Sequence, residues 1–180
     1  MNQNLHQPVM LREVIDAVAA QKDQLVVDGT FGAGGYSKAL LATGCRVVAL
    51  DRDPDVKLLA DALAQATPGH FLFVPGRFGA MLSLLSGAGI EKVDAIVLDI
   101  GVSSMQLDQG ERGFSFRADA PLDMRMERAG ISAHDVVNSY EESDLIRILR
   151  EYGEEKNAKR IARAIVAARA EAPIATTKQL

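Results

Sequence analysis

Three aspartates stand out as candidates for chemistry because each closes a short apolar run. Asp28 follows Leu25-Val26-Val27, Asp51 follows Val47-Val48-Ala49-Leu50, and Asp99 follows the run from Val93 to Leu98. After Asp28 comes Gly29-Thr30-Phe31-Gly32-Ala33-Gly34-Gly35, a stretch too rich in glycine for regular structure. Glycines let the backbone come close to a ligand, and the helix expected to follow offers unpaired N–H groups. Acids at strand ends can accept hydrogen bonds from hydroxyl or amino groups of a bound molecule.

The spacing narrows the ligand. A dinucleotide fingerprint needs glycines at its first, third and sixth positions. Gly32 and Gly34 meet the first two, but Ser37 holds the sixth. A Walker A loop needs Gly-Lys-Ser/Thr, where this chain has Gly35-Tyr36-Ser37. Asp51 follows Asp28 at close to the roughly 20-residue offset at which an acid reaches ribose hydroxyls. A nucleoside without a pyrophosphate fits these facts best, with S-adenosylmethionine the leading candidate. Plainer readings stand beside this one. Glycine turns also serve tight packing, Asp51 can cap a helix, and Asp99 can cap a loop.

The elements that must position these residues alternate. A first helix carries Val9, Val14, Ile15 and Val18 at helical spacing. Strands are expected at 25–28, 47–51, 71–74 and 93–98, with helices at 36–43, from Asp53-Pro54 onward, and at 78–85. Asp53 before Pro54 is a strong helix start. Such alternation predicts an α/β fold with a parallel sheet covered on both faces. Residues 100–120 read as a long loop, a length that in compact domains often signals function. From Pro121 the pattern is helical, clearest over 141–152 and 155–170, with Ile161, Ile165 and Ala168 on the core side. We therefore expect a Rossmann-like ligand-binding part over 1–120 and the start of a helical subdomain over 121–180.

Composition sets limits. The chain has 180 residues, 48% of them hydrophobic, enough for a real core. Arg12, Glu13 and Asp16 interrupt the first apolar stretch, which therefore does not read as a signal peptide. No apolar run is long enough to span a bilayer, so no membrane partner is expected. The lone Cys45 fits a reducing compartment such as the cytoplasm. His6, His70 and His134 lack ligand spacing, and no metal site is expected. The net charge of −4 argues against a general RNA-coating protein, though not against a local basic patch. Lys156, Lys159, Arg160 and Arg163 recur at helical spacing and form one basic stripe, usually a solvated face. Arg112, Arg117, Arg125 and Arg128 are interleaved with Glu111, Asp119, Asp123 and Glu127, so phosphate contact and a salt-bridged loop are equal readings.

Longer signatures carry a resemblance. Asp28-Gly29-Thr30-Phe31-Gly32-Ala33-Gly34-Gly35-Tyr36-Ser37 resembles the cofactor loop of the bacterial ribosomal RNA small-subunit methyltransferase H family (MraW type). Asp51-Arg52-Asp53-Pro54 resembles its second-strand motif. The run from Leu98 through Asp108, then Glu111 to Arg117, Pro121 to Met126, Tyr152-Gly153-Glu154-Glu155 and Arg160 to Ile165 match as well.

The resemblance implies a class I methyltransferase sheet with a helical insertion. It implies transfer of a methyl group from S-adenosylmethionine to the N4 amine of a cytidine in small-subunit ribosomal RNA, within the assembled small subunit. It also implies cofactor contacts from Gly34, Gly35, Tyr36, Asp51, Phe78, Asp99 and Gln106; without the family, Phe78 would be read as a core aromatic. The chain departs from the family in Tyr36 for a usual histidine, Met105 for a common proline and Ile100 for a usual leucine. Family members continue past residue 180, so the sheet is expected to be incomplete here. Rival readings are a methyltransferase for a small molecule or protein, a nicotinamide oxidoreductase, and an inactive cofactor-binding fragment.

Overall fold

The computed structural model describes residues 8–180, so His6 lies outside the described residues. The chain divides into two compact units, the first running to Met105 and the second spanning Gln106–Leu180.

The first unit holds helix α1 (Leu11–Val18), strand β1 (Leu25–Asp28), helix α2 (Gly35–Leu41), strand β2 (Arg46–Asp51), helix α3 (Lys57–Ala66), strand β3 (Phe71–Pro75), helix α4 (Met81–Gly87) and strand β4 (Ala95–Val97). The sheet is parallel throughout, in the order β3-β2-β1-β4. That is the opening of a doubly wound sheet, and the order reverses between β1 and β4. Successive residues of β1 and β2 point to opposite faces. Val26, Val47 and Ala49 join Leu40, Ala60 and Phe71 on one side, with α1 packed against them. Val27, Val48 and Leu50 meet Leu85 of α4 on the other. Both faces of these two strands are buried, which is why they read as unbroken apolar runs.

Local chemistry sets the boundaries. The Asp53 side chain accepts from the Asp55 N–H at 3.0 Å, and the chain makes a 3-10 turn at Pro54–Val56 before α3 begins. The helix expected from Phe78 likewise opens as a 3-10 turn, Phe78–Ala80. β4 is shorter than the expected strand. At its start the Asp94 carboxylate takes the Leu25 N–H at 2.7 Å. Beyond Val97, the Asp99 N–H bonds the Thr30 hydroxyl instead of a neighbouring strand, and the ladder stops.

The second unit holds the rest of α5 (Ser104–Asp108), then α6 (Ala133–Ser139), α7 (Glu142–Glu151) and α8 (Ala158–Glu171). The expected long loop thus contains a short helix and a 3-10 turn at Gly110–Arg112. The division falls inside α5, upstream of the boundary expected after residue 120. The reason lies in the backbone of the loop, which bonds into the second unit. Leu122 N–H donates to Ala175 C=O, Thr177 N–H to Ala120 C=O, and Met124 N–H to Arg112 C=O.

Residues 121–132 are irregular where helix was expected. Met124 and Arg128 adopt left-handed backbone conformations. Buried Arg112 holds the carbonyls of Arg125 and Met126 at 3.0 and 2.8 Å. Of the residues assigned to the core side of α8, Ile165 is buried but Ala168 is exposed. The buried face runs through Ala158, Ala162 and Ile165, a helical row that misses Ala168. This unit has its own core of Leu122, Val137, Leu145, Ala162, Ile165 and Ile174.

Candidate functional site at the strand ends

The three strand-end acids do different work. Asp28 is fully buried. Its carboxylate accepts the Ser37 hydroxyl at 2.7 Å and the Thr30 N–H at 3.2 Å, so it braces the glycine loop from beneath. Burial pushes its pKa above the ordinary 3.8, with a smaller push from Asp51, against hydrogen bonds that pull it down.

Asp51 staples the loop from the side. One carboxylate oxygen takes the Gly32 N–H at 2.8 Å and the other takes the Asp53 N–H at 2.9 Å. A carboxylate has about four acceptor positions, so two such bonds leave capacity for a ligand's hydroxyls. Asp99 lies exposed beyond the end of β4. Its N–H reaches back to the Thr30 hydroxyl at 2.8 Å, while the Gly29 N–H donates to Val97 C=O at 2.9 Å. The first loop and the end of β4 are thereby tied together at the point where strand order reverses.

Gly34 sits at φ 77°, a conformation open to glycine at little cost, and caps α2 with no side-chain hydrogen bond. In the first turn of α2 the Ser37 N–H turns to the Asp28 carboxylate, while those of Gly35 and Tyr36 have no intrahelical partner. Gly35 needs to lack a side chain for a different reason. A Cβ there would stand 2.2 Å from Cγ of Pro8. The segment before α1 therefore lies directly on the loop, and the Tyr36 hydroxyl fastens it by donating to the Val9 carbonyl. The Tyr36 ring is buried. Burial, then the Asp99 and Asp28 carboxylates, push its phenol above the ordinary value of 10. The Asp99 side chain is therefore a neighbour of the Tyr36 phenol.

Phe78 joins this group from the end of β3. It is 40% exposed, not a core aromatic, and its Cβ lies 3.5 Å from where a Cβ on Gly29 would be. Gly34, Gly35, Tyr36, Asp51, Phe78 and Asp99 are all brought to the carboxyl ends of the strands. Gln106 belongs to the second unit, where it is buried.

Thr30 and Ser37 were missed as contributors by sequence reasoning. Ser37 drew notice only as a missing glycine; its spacing to Asp28 is the signal that could have found it. Nothing in the sequence marks Thr30 as the link to Asp99, because that contact joins residues far apart in the chain.

Comparison with known proteins gives the following. A family profile described as the MraW methylase family matches residues 3–180. A "Ribosomal RNA small subunit methyltransferase H" of Parvibaculum lavamentivorans is 54% identical over 97% of this chain and 52% of that protein. One of the same name from Rhodospirillum centenum is 53% identical over 98% of this chain and 54% of its own length. The chain thus spans about half the length of the curated relatives it matches. Among solved structures, the C-terminal domain of precorrin-6Y C5,15-methyltransferase from Rhodobacter capsulatus aligns over 78% of this chain and 68% of its own, with 17% identity and a TM-score of 0.42.

Proposed function

The chain belongs to the MraW methylase family, and from that premise we propose that it binds S-adenosylmethionine at the strand ends and methylates the N4 amine of a cytidine in small-subunit ribosomal RNA. The proposal covers the roles of Gly34, Gly35, Tyr36, Asp51, Phe78 and Asp99 as cofactor contacts, and that of Gln106 as implied by the family. It includes the assembled small subunit as the working partner.

One observation carries the reading. Asp51 at the end of β2 and Asp99 just beyond β4, the two strands that flank β1, are both tied to one glycine loop, Asp51 by its carboxylate on the Gly32 N–H and Asp99 by its own N–H on the Thr30 hydroxyl. The donor set suits the cofactor. Asp51 keeps acceptor capacity for ribose hydroxyls, Phe78 offers an apolar face for a purine, and the start of α2 offers N–H groups. The carboxylates also give the strand ends a negative charge suited to a cationic sulfur. A Walker or dinucleotide loop would place pyrophosphate here, among these acids, which disfavours the nicotinamide reading.

When bound, S-adenosylmethionine supplies a methyl group already activated by the sulfonium charge. The exocyclic amine of cytidine is a poor nucleophile, because its lone pair is delocalised into the ring. The work left to the chain is alignment. Asp51 and the glycine loop fix one end of the cofactor. Asp99, with the carbonyls that follow it, either holds the cofactor's amino-acid end or accepts from the target amine, favouring its pyramidal form. The cytidine must leave its stack to reach these groups.

The test is mass spectrometry of ribosomal RNA after incubating unmodified small subunits with labelled S-adenosylmethionine and either this chain or a full-length relative. Label on cytidine N4 from the 180-residue chain is the expected result. Label elsewhere, or label from the relative alone, overturns the activity proposed for this chain.

A further inference from the structure

The basic stripe anticipated in the sequence runs from Lys156, just before α8, to Arg163 within it, and three of its four charges are not spent on the protein. Lys156, Lys159 and Arg160 are exposed, and no ion pair holds any of them among the described residues. Nearby cations differ. Arg163 pairs with Glu142 at 3.3 Å, Arg147 with Asp144 at 3.4 Å and Glu151 at 3.6 Å, and Arg169 donates to the Val137 carbonyl. The Glu155 carboxylate, the acid next to Lys156, is engaged by the Asn157 N–H.

The three cations also stand where a helix least wants them. Lys159 and Arg160 fall in the first turn of α8, which contains no acid, and Asn157 gives no side-chain cap. Positive charge at the positive end of the macrodipole opposes the helix, so selection for stability alone would favour Asp or Glu there. The loop that leads into this turn carries Tyr152, with 76% of its surface exposed. Unpaired cations and an exposed aromatic ring on one short stretch of chain match the chemistry of unstacked RNA, where phosphates meet lysine or arginine and bases stack on rings.

We infer that Lys156, Lys159 and Arg160, with Tyr152 at their margin, form a docking surface for single-stranded ribosomal RNA. This rests on the reading of the chain as an enzyme of ribosomal RNA, and it assigns RNA contact to a face of the second unit.

The experiment is a fluorescence-anisotropy titration of the chain with a single-stranded fragment of small-subunit ribosomal RNA over a range of salt. Binding of S-adenosylmethionine is measured separately by calorimetry. In K159E/R160E the affinity should fall about tenfold or more at low salt, and the slope of log K against log salt should flatten by about 1.4, for two phosphates on a single strand. The same variant should melt at a higher temperature, since acids now occupy the first turn. Its cofactor affinity should be unchanged. K159Q/R160Q, which keeps helix propensity, should show the same direction of loss in RNA affinity. Y152A should weaken RNA binding severalfold without changing the salt slope, and should leave inorganic polyphosphate binding unaltered. Failure of the wild-type chain to bind this RNA, or equal binding by wild type and K159E/R160E, overturns the docking surface. Loss of RNA binding in the variant, together with no cofactor binding by either protein, leaves the surface standing and removes the proposed methyltransferase reading.

Discussion

Asp28 shows how one side chain can be structural and still shape a site. Its acidic proton is held more tightly in the folded protein than in the unfolded one, because burial disfavours the charge. Below both pKa values the carboxyl is neutral in each state and burial of charge costs nothing. As pH climbs above the ordinary 3.8 the unfolded chain releases the proton first, and stability drains away until the folded-state value is passed. D28N removes that linkage and also the repulsion with Asp51. As pH rises above 3.8 the wild type should therefore lose stability relative to D28N, as read by urea melts of both proteins over a series of pH values. Curves that stay parallel would show that Asp28 carries no net burial penalty. The three strand-end acids look alike as a pattern, yet one is a buried brace, one a side staple and one an exposed neighbour of a phenol. That separation depends on depth in the sheet, which a sequence of local motifs does not encode.

At the scale of elements, α6 of the second unit is held at its start by a cap. Ser132 accepts the Asp135 N–H at 3.2 Å while the Asp135 side chain takes the Ser132 N–H at 2.9 Å, a reciprocal capping box. These bonds hold the Asp135 carboxyl below its usual value. S132A leaves the first turn of α6 with an open donor and should cost about 1 kcal/mol of stability, measured by denaturant unfolding. An unchanged midpoint would mean that packing of Val137 alone holds α6. The strands were legible because each is a short apolar run ended by an acid or a turn. The stretch 121–132 was not, because its shape is set by Arg112, whose guanidinium reaches two carbonyls in a later part of the chain.

For the whole molecule, the open edge of the sheet matters most. β4 pairs only with β1 among the described residues, and Ile96, Leu98 and Ile100 along that edge are 51, 44 and 71% exposed. An uncovered apolar edge strand invites pairing with another chain. The 180-residue chain should associate as its concentration rises, and I96K/I100K should suppress this, as followed by sedimentation velocity. Association that is indifferent to both substitutions would place the sticky surface elsewhere.

What the sequence determined by itself was local and periodic. Alternating apolar runs fixed an α/β sheet, the glycine run after Asp28 located the loop, and long ungapped signatures identified the family. These follow from chain connectivity and side-chain type, which any short window contains. Tertiary structure alone decided that Thr30 ties the loop to Asp99, that Pro8 lies against Gly35, that Phe78 is exposed beside Gly29, and that the chain divides within α5. Each of those outcomes is a contact or burial set by how distant segments pack, and such pairings leave no trace in the order of neighbouring residues.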